Sequence, residues 1–165
     1  MGDYTTERRN KNRGYMGLVV WQRAIERFEL VWKVAYVESK IDFKLRAQLA
    51  DAAQSVAANI SEGYGRRRSV KEYIQFLYVA LGSMAETMTR SVGLVRTGQI
   101  GQDRFEKIDI LHYEVENRLL RPIEKLEQKR DDEDWTARIA EDPSEYSITP
   151  SLHHSITPSA LCPDA

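Results

Sequence analysis

Residues 69–98 read SVKEYIQFLYVALGSMAETMTRSVGLVRTG, and this stretch decides the fold. Apolar residues recur in it at every third or fourth position, which is the period of a helix with a buried face. Ser69 and Glu72 have the spacing of an N-terminal helix cap, and Gly98 is typical of a helix end. The run from Phe76 to Leu81 is apolar around the whole circumference. We therefore expect a long helix that is covered on more than one side.

Three further segments have the same helical period. They run from about Leu18 to Glu38, from a cap at Asp42 to a left-handed end at Gly63, and from Asp103 onward. Four amphipathic segments joined by short links predict an all-α, antiparallel up-down-up-down four-helix bundle. Pro122 predicts a kink or break in the last segment, because proline removes a backbone hydrogen bond.

Residue spacing also predicts which positions face the core. The first segment has an apolar stripe made of Trp21, Ile25 or Phe28, Trp32 and Ala35. Gly82 lies in the middle of the third segment, where glycine is unfavourable by about 1 kcal/mol relative to alanine. We therefore expect Gly82 to allow a close approach between helices.

Composition and charge divide the 165-residue chain into three parts. Residues 1–71 hold 14 Lys and Arg against 8 Asp and Glu, residues 72–130 hold 9 against 9, and residues 131–165 hold 1 against 8. We expect a basic flexible head at 1–16, the bundle at 17–130 and an acidic, disordered, low-complexity tail at 131–165, which contains the pentapeptide SITPS twice. The single Cys and the short apolar runs favour a cytoplasmic protein without a membrane span.

The residues needed for catalysis are scarce. His112 is the only histidine within the predicted bundle, and the single cysteine, Cys162, lies in the tail. No nucleophile pair, metal-binding helix or phosphate loop after a strand can be assembled from these residues. We expect no enzymatic activity, cofactor or metal site, and His112 is expected at the surface or the edge of the core.

Two basic clusters are the candidate binding residues. One comprises Arg66, Arg67, Arg68 and Lys71, between the second and third segments, and the other comprises Arg8, Arg9, Lys11 and Arg13 in the head. Guanidinium groups held on a turn bind phosphate oxygens, and the start of the third helix adds free N–H groups and a positive dipole end. The alternative is that these arginines keep the turn soluble or pair with acidic side chains. Tyr64 either stacks on an unpaired base or packs at the bundle end.

Three stretches of the chain carry a family resemblance. They are LVVWQRA at 18–24, SVAANISEGYGRR at 55–67 and YIQFLYVALGS at 73–83, followed by Glu86. In this order they resemble the four-helix-bundle family known as the intervening-sequence protein of 23S ribosomal RNA, which is similar to the accessory variability proteins of diversity-generating retroelements. The resemblance covers roughly residues 15–130. It implies a homo-oligomer, with a pentamer favoured, that binds RNA or DNA and assists a reverse transcriptase or associates with ribosomal RNA. The alternative is a protein–protein scaffold without nucleic-acid binding.

Self-association is the first testable prediction. Because the run from Phe76 to Leu81 is apolar on every side, a single bundle covers only part of it, and a second copy covers the rest. Light scattering after size exclusion at micromolar concentration should give a multiple of the 19.0 kDa chain mass. A monomer mass would contradict the prediction.

Overall fold

A computed structural model describes residues 11–38 and 40–141, with side chains for 12–38 and 40–131. A 3-10 helix, Lys11–Gly17, precedes helix α1, Val19–Lys33, which continues as a π-helical segment, Val34–Glu38. The remaining helices are α2, Phe43–Gly65, α3, Val70–Arg96, and α4, Gln102–Glu141. The described residues contain no β-strand.

The four long helices pack in the order in which they occur along the chain. Each packs against the next, and α4 returns to pack against α1, so the helices close a ring around the core. Links of only a few residues join them, which makes successive helices antiparallel neighbours. The predicted all-α four-helix bundle is confirmed.

The predicted caps are also present, with one exception. Asp42 accepts a hydrogen bond from the Lys44 N–H at 3.0 Å, and Ser69 accepts one from the Glu72 N–H at 3.3 Å. Gly98, just after α3, has a φ of 71°, the left-handed conformation that favours glycine. The expectation that α2 ends at Gly63 was wrong, because the helix continues to Gly65.

Helices α2 and α3 make the most extensive contact in the bundle. The face of α2 that enters this core is rich in small side chains, which lets the two helices approach closely; its buried alanines are Ala50, Ala52, Ala53 and Ala57. At Gly63 an added Cβ would lie 2.9 Å from the Cβ of Phe76 and 3.0 Å from the ring of Tyr73. Gly82 does not have the expected role within the chain, since its Cβ position is open.

Helix α4 is longer than expected. A kink or a break was expected at Pro122, and the break is absent, because one helix runs through this residue to Glu141. Leu119 and Ile123 on either side are both buried in the same core cluster, and their packing holds the helix together across the missing hydrogen bond. Residues 131–141, expected in the tail, are therefore helical. The rest of the predicted tail lies outside the described residues.

The buried face of α1 differs from the predicted stripe. Its buried residues are Ala24, Arg27 and Val31, followed by Val34 and Ala35 in the π-helical segment. Trp32, expected in the core, is 47% exposed. The helix is apolar on two sides, so the pattern alone did not separate the core face from a surface that carries aromatic rings.

The core contains a buried arginine, Arg27, whose side chain is 0% exposed. Its Nη2 lies 3.1 Å from Nδ1 of His112, and its Nε and Nη1 have no hydrogen-bond partner among the described residues. Burial lowers the pKa of Arg27 to about 10. Burial, and next the positive charge of Arg27, lower the pKa of His112 to about 4. His112 is therefore neutral at pH 7 and accepts a hydrogen bond from the guanidinium group.

The close contact at Gly63 predicts opposite effects for two Gly→Ala substitutions. Gly63→Ala should lower the free energy of unfolding by about 1–3 kcal/mol, because the new methyl group overlaps Phe76 Cβ. Gly82→Ala should raise it by about 0.5–1 kcal/mol, because alanine favours a helix and nothing obstructs it there. Urea denaturation of both variants is the measurement. Equal effects at the two positions would contradict the close packing at Gly63.

The buried His112 predicts a pH dependence of stability. The pKa of His112 falls from 6.5 to about 4 on folding, so between these pH values the unfolded chain binds a proton that the folded chain does not. The stability contributed by neutral His112 is present above pH 6.5 and is lost as the pH falls toward 4. Between these limits the parent should lose about 3 kcal/mol more than His112→Asn, which accepts the same hydrogen bond but does not titrate.

Denaturant unfolding of both proteins across this pH range checks the prediction. Carboxylates such as Glu38, whose pKa is lowered first by its hydrogen bond to Lys33, contribute equally to both curves. Parallel curves for the parent and the variant would show that His112 titrates normally in the fold.

Candidate nucleic-acid interface

The arginine turn, defined as residues 66–71, joins α2 to α3. The Arg66 N–H bonds back to the carbonyls of Glu62 and Gly63 at 3.1 and 3.0 Å, and the Ser69 N–H bonds to the Arg66 carbonyl at 3.0 Å. With Ser69 also capping α3, the backbone of the turn is fixed at both ends. The three arginines are therefore displayed on an ordered scaffold at one end of the bundle.

Arg66 is largely neutralised by neighbouring carboxylates. Its guanidinium nitrogens lie 3.0 Å from Glu62 Oε1 and 3.7 Å from Glu72 Oε2, and its Cζ lies 5.0 Å from the centre of the Phe76 ring. The pairing with acidic side chains that sequence analysis left open is therefore what the structure shows for Arg66. Neither partner was named from the sequence, although Glu62 stands four residues before Arg66, the usual spacing of a helical ion pair.

Arg67 lies over the ring of Tyr64. Its Cζ is 4.0 Å from the centre of that ring, and Nη1 donates a hydrogen bond to the Tyr64 carbonyl at 2.7 Å. The ring also meets Tyr15 edge-on, with centroids 6.4 Å apart. Tyr64 thus packs at the bundle end, one of the two roles considered for it, and it holds Arg67 in place.

Arg68 and Lys71 differ from their neighbours. Both side chains are exposed. Neither has a hydrogen bond or ion pair with another described residue. The segment from Glu62 to Glu72 carries four cations and two carboxylates, and both carboxylates contact Arg66. The positive charge available to an external anion is therefore concentrated at Arg68 and Lys71.

The 3-10 helix brings part of the head to the same end of the bundle. At Gly14 an added Cβ would overlap the Tyr64 hydroxyl, so the backbone of the 3-10 helix passes directly over that ring. Arg13, the preceding residue, is exposed beside this contact. Lys11 belongs to the same helix, but its side chain lies outside the described residues, as do Arg8 and Arg9 entirely. Arg13 is therefore the residue of the head cluster that the structure places beside the arginine turn.

The described residues offer neither a metal-binding cluster nor a membrane-spanning helix. Within 11–38 and 40–141, no group of three or more His, Cys, Asp or Glu side chains is placed to hold a metal ion. No described helix is long and apolar enough to cross a membrane.

Comparison with known proteins gives a family match. The model of the family described as 23S rRNA-intervening sequence protein matches residues 16–121. The match covers more than half of the chain, includes the arginine turn and confirms the resemblance to this family. No curated protein matches the chain significantly.

Proposed function

Because the chain belongs to the 23S rRNA-intervening sequence protein family, we propose that it is a non-enzymatic, self-associating helical bundle that binds RNA through the arginine turn. The observation that carries this proposal is the pair Arg68 and Lys71, which are exposed and have no carboxylate partner in the described structure. The family name adds ribosomal RNA as the polyanion to test first.

The arginine turn suits phosphate recognition because its backbone and the Arg67 side chain are already ordered before RNA binds. The backbone is capped at Ser69, and Arg67 is held against Tyr64. A guanidinium group that is already in position loses less conformational entropy when it binds a phosphate. Phosphate contacts of this kind give affinity without sequence preference. We therefore propose Arg68 and Lys71 as the main contacts to the RNA backbone, with Arg67 and the paired Arg66 beside them. Arg13, Lys11, Arg8 and Arg9 form a second set.

Self-association is the second part of the proposal, and exposed apolar side chains support it. Tyr78 and Val79, within the apolar run of α3, are 47% and 46% exposed. On α4, Ile110 and Tyr113 are each 69% exposed. Large apolar side chains left at a surface favour contact with another protein surface. We propose that a second copy covers them, with the pentamer implied by the sequence resemblance as the specific form.

The cellular setting follows from the same resemblance. We propose that the protein acts in the cytoplasm as an accessory in a nucleic-acid complex, with ribosomal RNA or a reverse transcriptase as the larger partner. A pure protein–protein scaffold is the competing function. It shares the apolar surfaces but requires no binding at the arginine turn.

The proposal predicts a salt-dependent affinity for RNA that depends on Arg68 and Lys71. Binding to a fluorescent hairpin fragment of ribosomal RNA, followed by anisotropy over a range of salt concentrations, should weaken as salt rises. Each phosphate that is neutralised contributes about 0.7–0.9 to the log–log slope. Arg68→Gln with Lys71→Gln should therefore weaken binding and flatten the slope by about 1.5 per copy.

Arg96→Gln with Lys107→Gln is the matched control, since it removes the same charge from exposed positions at the other end of the bundle. It should leave the slope nearly unchanged. Stability should change little in either double variant, because exposed charges contribute little to folding. Equal effects of the two double variants would show that RNA binding depends on net charge and not on the arginine turn. Absence of salt-dependent binding by the parent would favour the scaffold function.

A further inference from the structure

The bundle carries an aromatic cluster, defined as Trp32, Tyr36, Phe43 and Arg46, at the end opposite the arginine turn. The cluster lies where the π-helical segment after α1 passes into α2. Helix α2 separates the two ends, and its 23 residues span about 35 Å. None of these four side chains takes part in the phosphate site described above.

The four side chains form one continuous stack. Trp32 and Tyr36 are stacked with ring centroids 4.2 Å apart and planes inclined by 22°. The Cζ of Arg46 lies 5.0 Å from the centre of the Tyr36 ring and 5.2 Å from that of Phe43. The guanidinium group therefore links the rings of two helical segments through cation–π contacts.

The two outer rings of the stack remain open to solvent. Phe43 is 72% exposed and Trp32 is 47% exposed. Phe43 is the first residue of α2, where the cap at Asp42, not the ring, satisfies the helix N-terminus. Its phenyl ring thus contributes little to the fold, while it presents a flat π-surface.

The charge around the stack favours an anionic ligand. Arg46 has no carboxylate or hydrogen-bond partner among the described residues, and its Nε is buried without one. Glu38 is bound by Lys33 at 3.2 Å and by Arg104 at 3.1 Å. Asp42, the cap of α2, accepts the backbone N–H groups of Lys44 and Leu45. Both carboxylates are therefore engaged elsewhere, and the Arg46 guanidinium is held in place without a counterion.

We propose that the aromatic cluster is a second RNA contact that takes an unpaired nucleotide, with a base stacked on Phe43 and the adjoining phosphate bound by Arg46. Exposed rings next to cationic side chains are the usual means of binding single strands without sequence preference. Bases inside a duplex are stacked on each other and do not reach such a ring. This inference rests on the proposed RNA binding and adds its substrate class, RNA with unpaired segments.

The test compares a single strand with a duplex. Affinities for fluorescent oligouridylate and for duplex RNA of equal length are measured by anisotropy for the parent, Phe43→Leu, Phe43→Trp and Arg46→Gln. Phe43→Leu and Arg46→Gln should each weaken oligouridylate binding about tenfold. Duplex binding should change by less than about twofold, since the arginine turn supplies its phosphate contacts. Phe43→Trp keeps a ring and should retain the affinity of the parent.

Val37→Ala is the matched control, because Val37 lies in the π-helical segment at the same end of the bundle and is as exposed as Phe43, at 72%, but has no ring. It should leave both affinities unchanged. Circular dichroism verifies the helical content of every variant, and light scattering verifies its mass.

Other results would contradict the second RNA contact or the proposed function. Unchanged oligouridylate binding by Phe43→Leu, or equal losses on oligouridylate and duplex, would overturn the second contact and leave the arginine turn in place. A reduced mass of Phe43→Leu would show that the rings join copies of the chain, which also overturns it. If the parent binds neither RNA in a salt-dependent manner, the proposed function itself fails.

Discussion

The close packing of α2 on α3 is the constraint on which the rest of the bundle depends. Small side chains on α2 let the two helices approach, and at Gly63 the backbone comes so near Phe76 that a methyl group has no room. This contact lies next to the arginine turn, so it sets the distance between α2 and α3 that the turn has to span. A short reversal forces consecutive arginines outward, and Glu62 and Glu72 then lie on either side of Arg66. Core packing thereby decides which of the cations remain available to a ligand.

The interior also contains an unusual polar element. A buried guanidinium group is unfavourable unless it is paired, and Arg27 has only the neutral His112 as a hydrogen-bond partner within the described structure. The apolar core around the pair is divided into two clusters, one containing Ile60 and Leu119 and the other containing Leu49 and Ile108. Arg27 lies on the inward face of α1 together with the apolar Ala24 and Val31. The aromatic side of that helix, including Trp32, consequently lies at the surface.

The two ends of the bundle present different chemistry to a polyanion. At one end, Arg68 and Lys71 are the proposed point contacts for phosphates on a capped turn. At the other, Arg46 and Phe43 combine a positioned guanidinium with an open ring. The first kind of contact is indifferent to whether the nucleic acid is paired, whereas the second requires an unpaired base. Both ends lie within or beside the same helix, α2, whose rigidity sets their separation.

The sequence by itself determined the helices, their caps and the bundle, because helical period, Asp42, Ser69 and Gly98 act through local geometry and backbone hydrogen bonds. It also located the arginine turn, and the family resemblance came from the same residues. Only the tertiary structure decided that α4 continues through Pro122, that Arg27 is buried in place of Trp32, and that Arg66 is paired while Arg68 is not. These outcomes depend on which side chains meet across helices, and competing packing energies between distant residues leave no periodic signal in one segment.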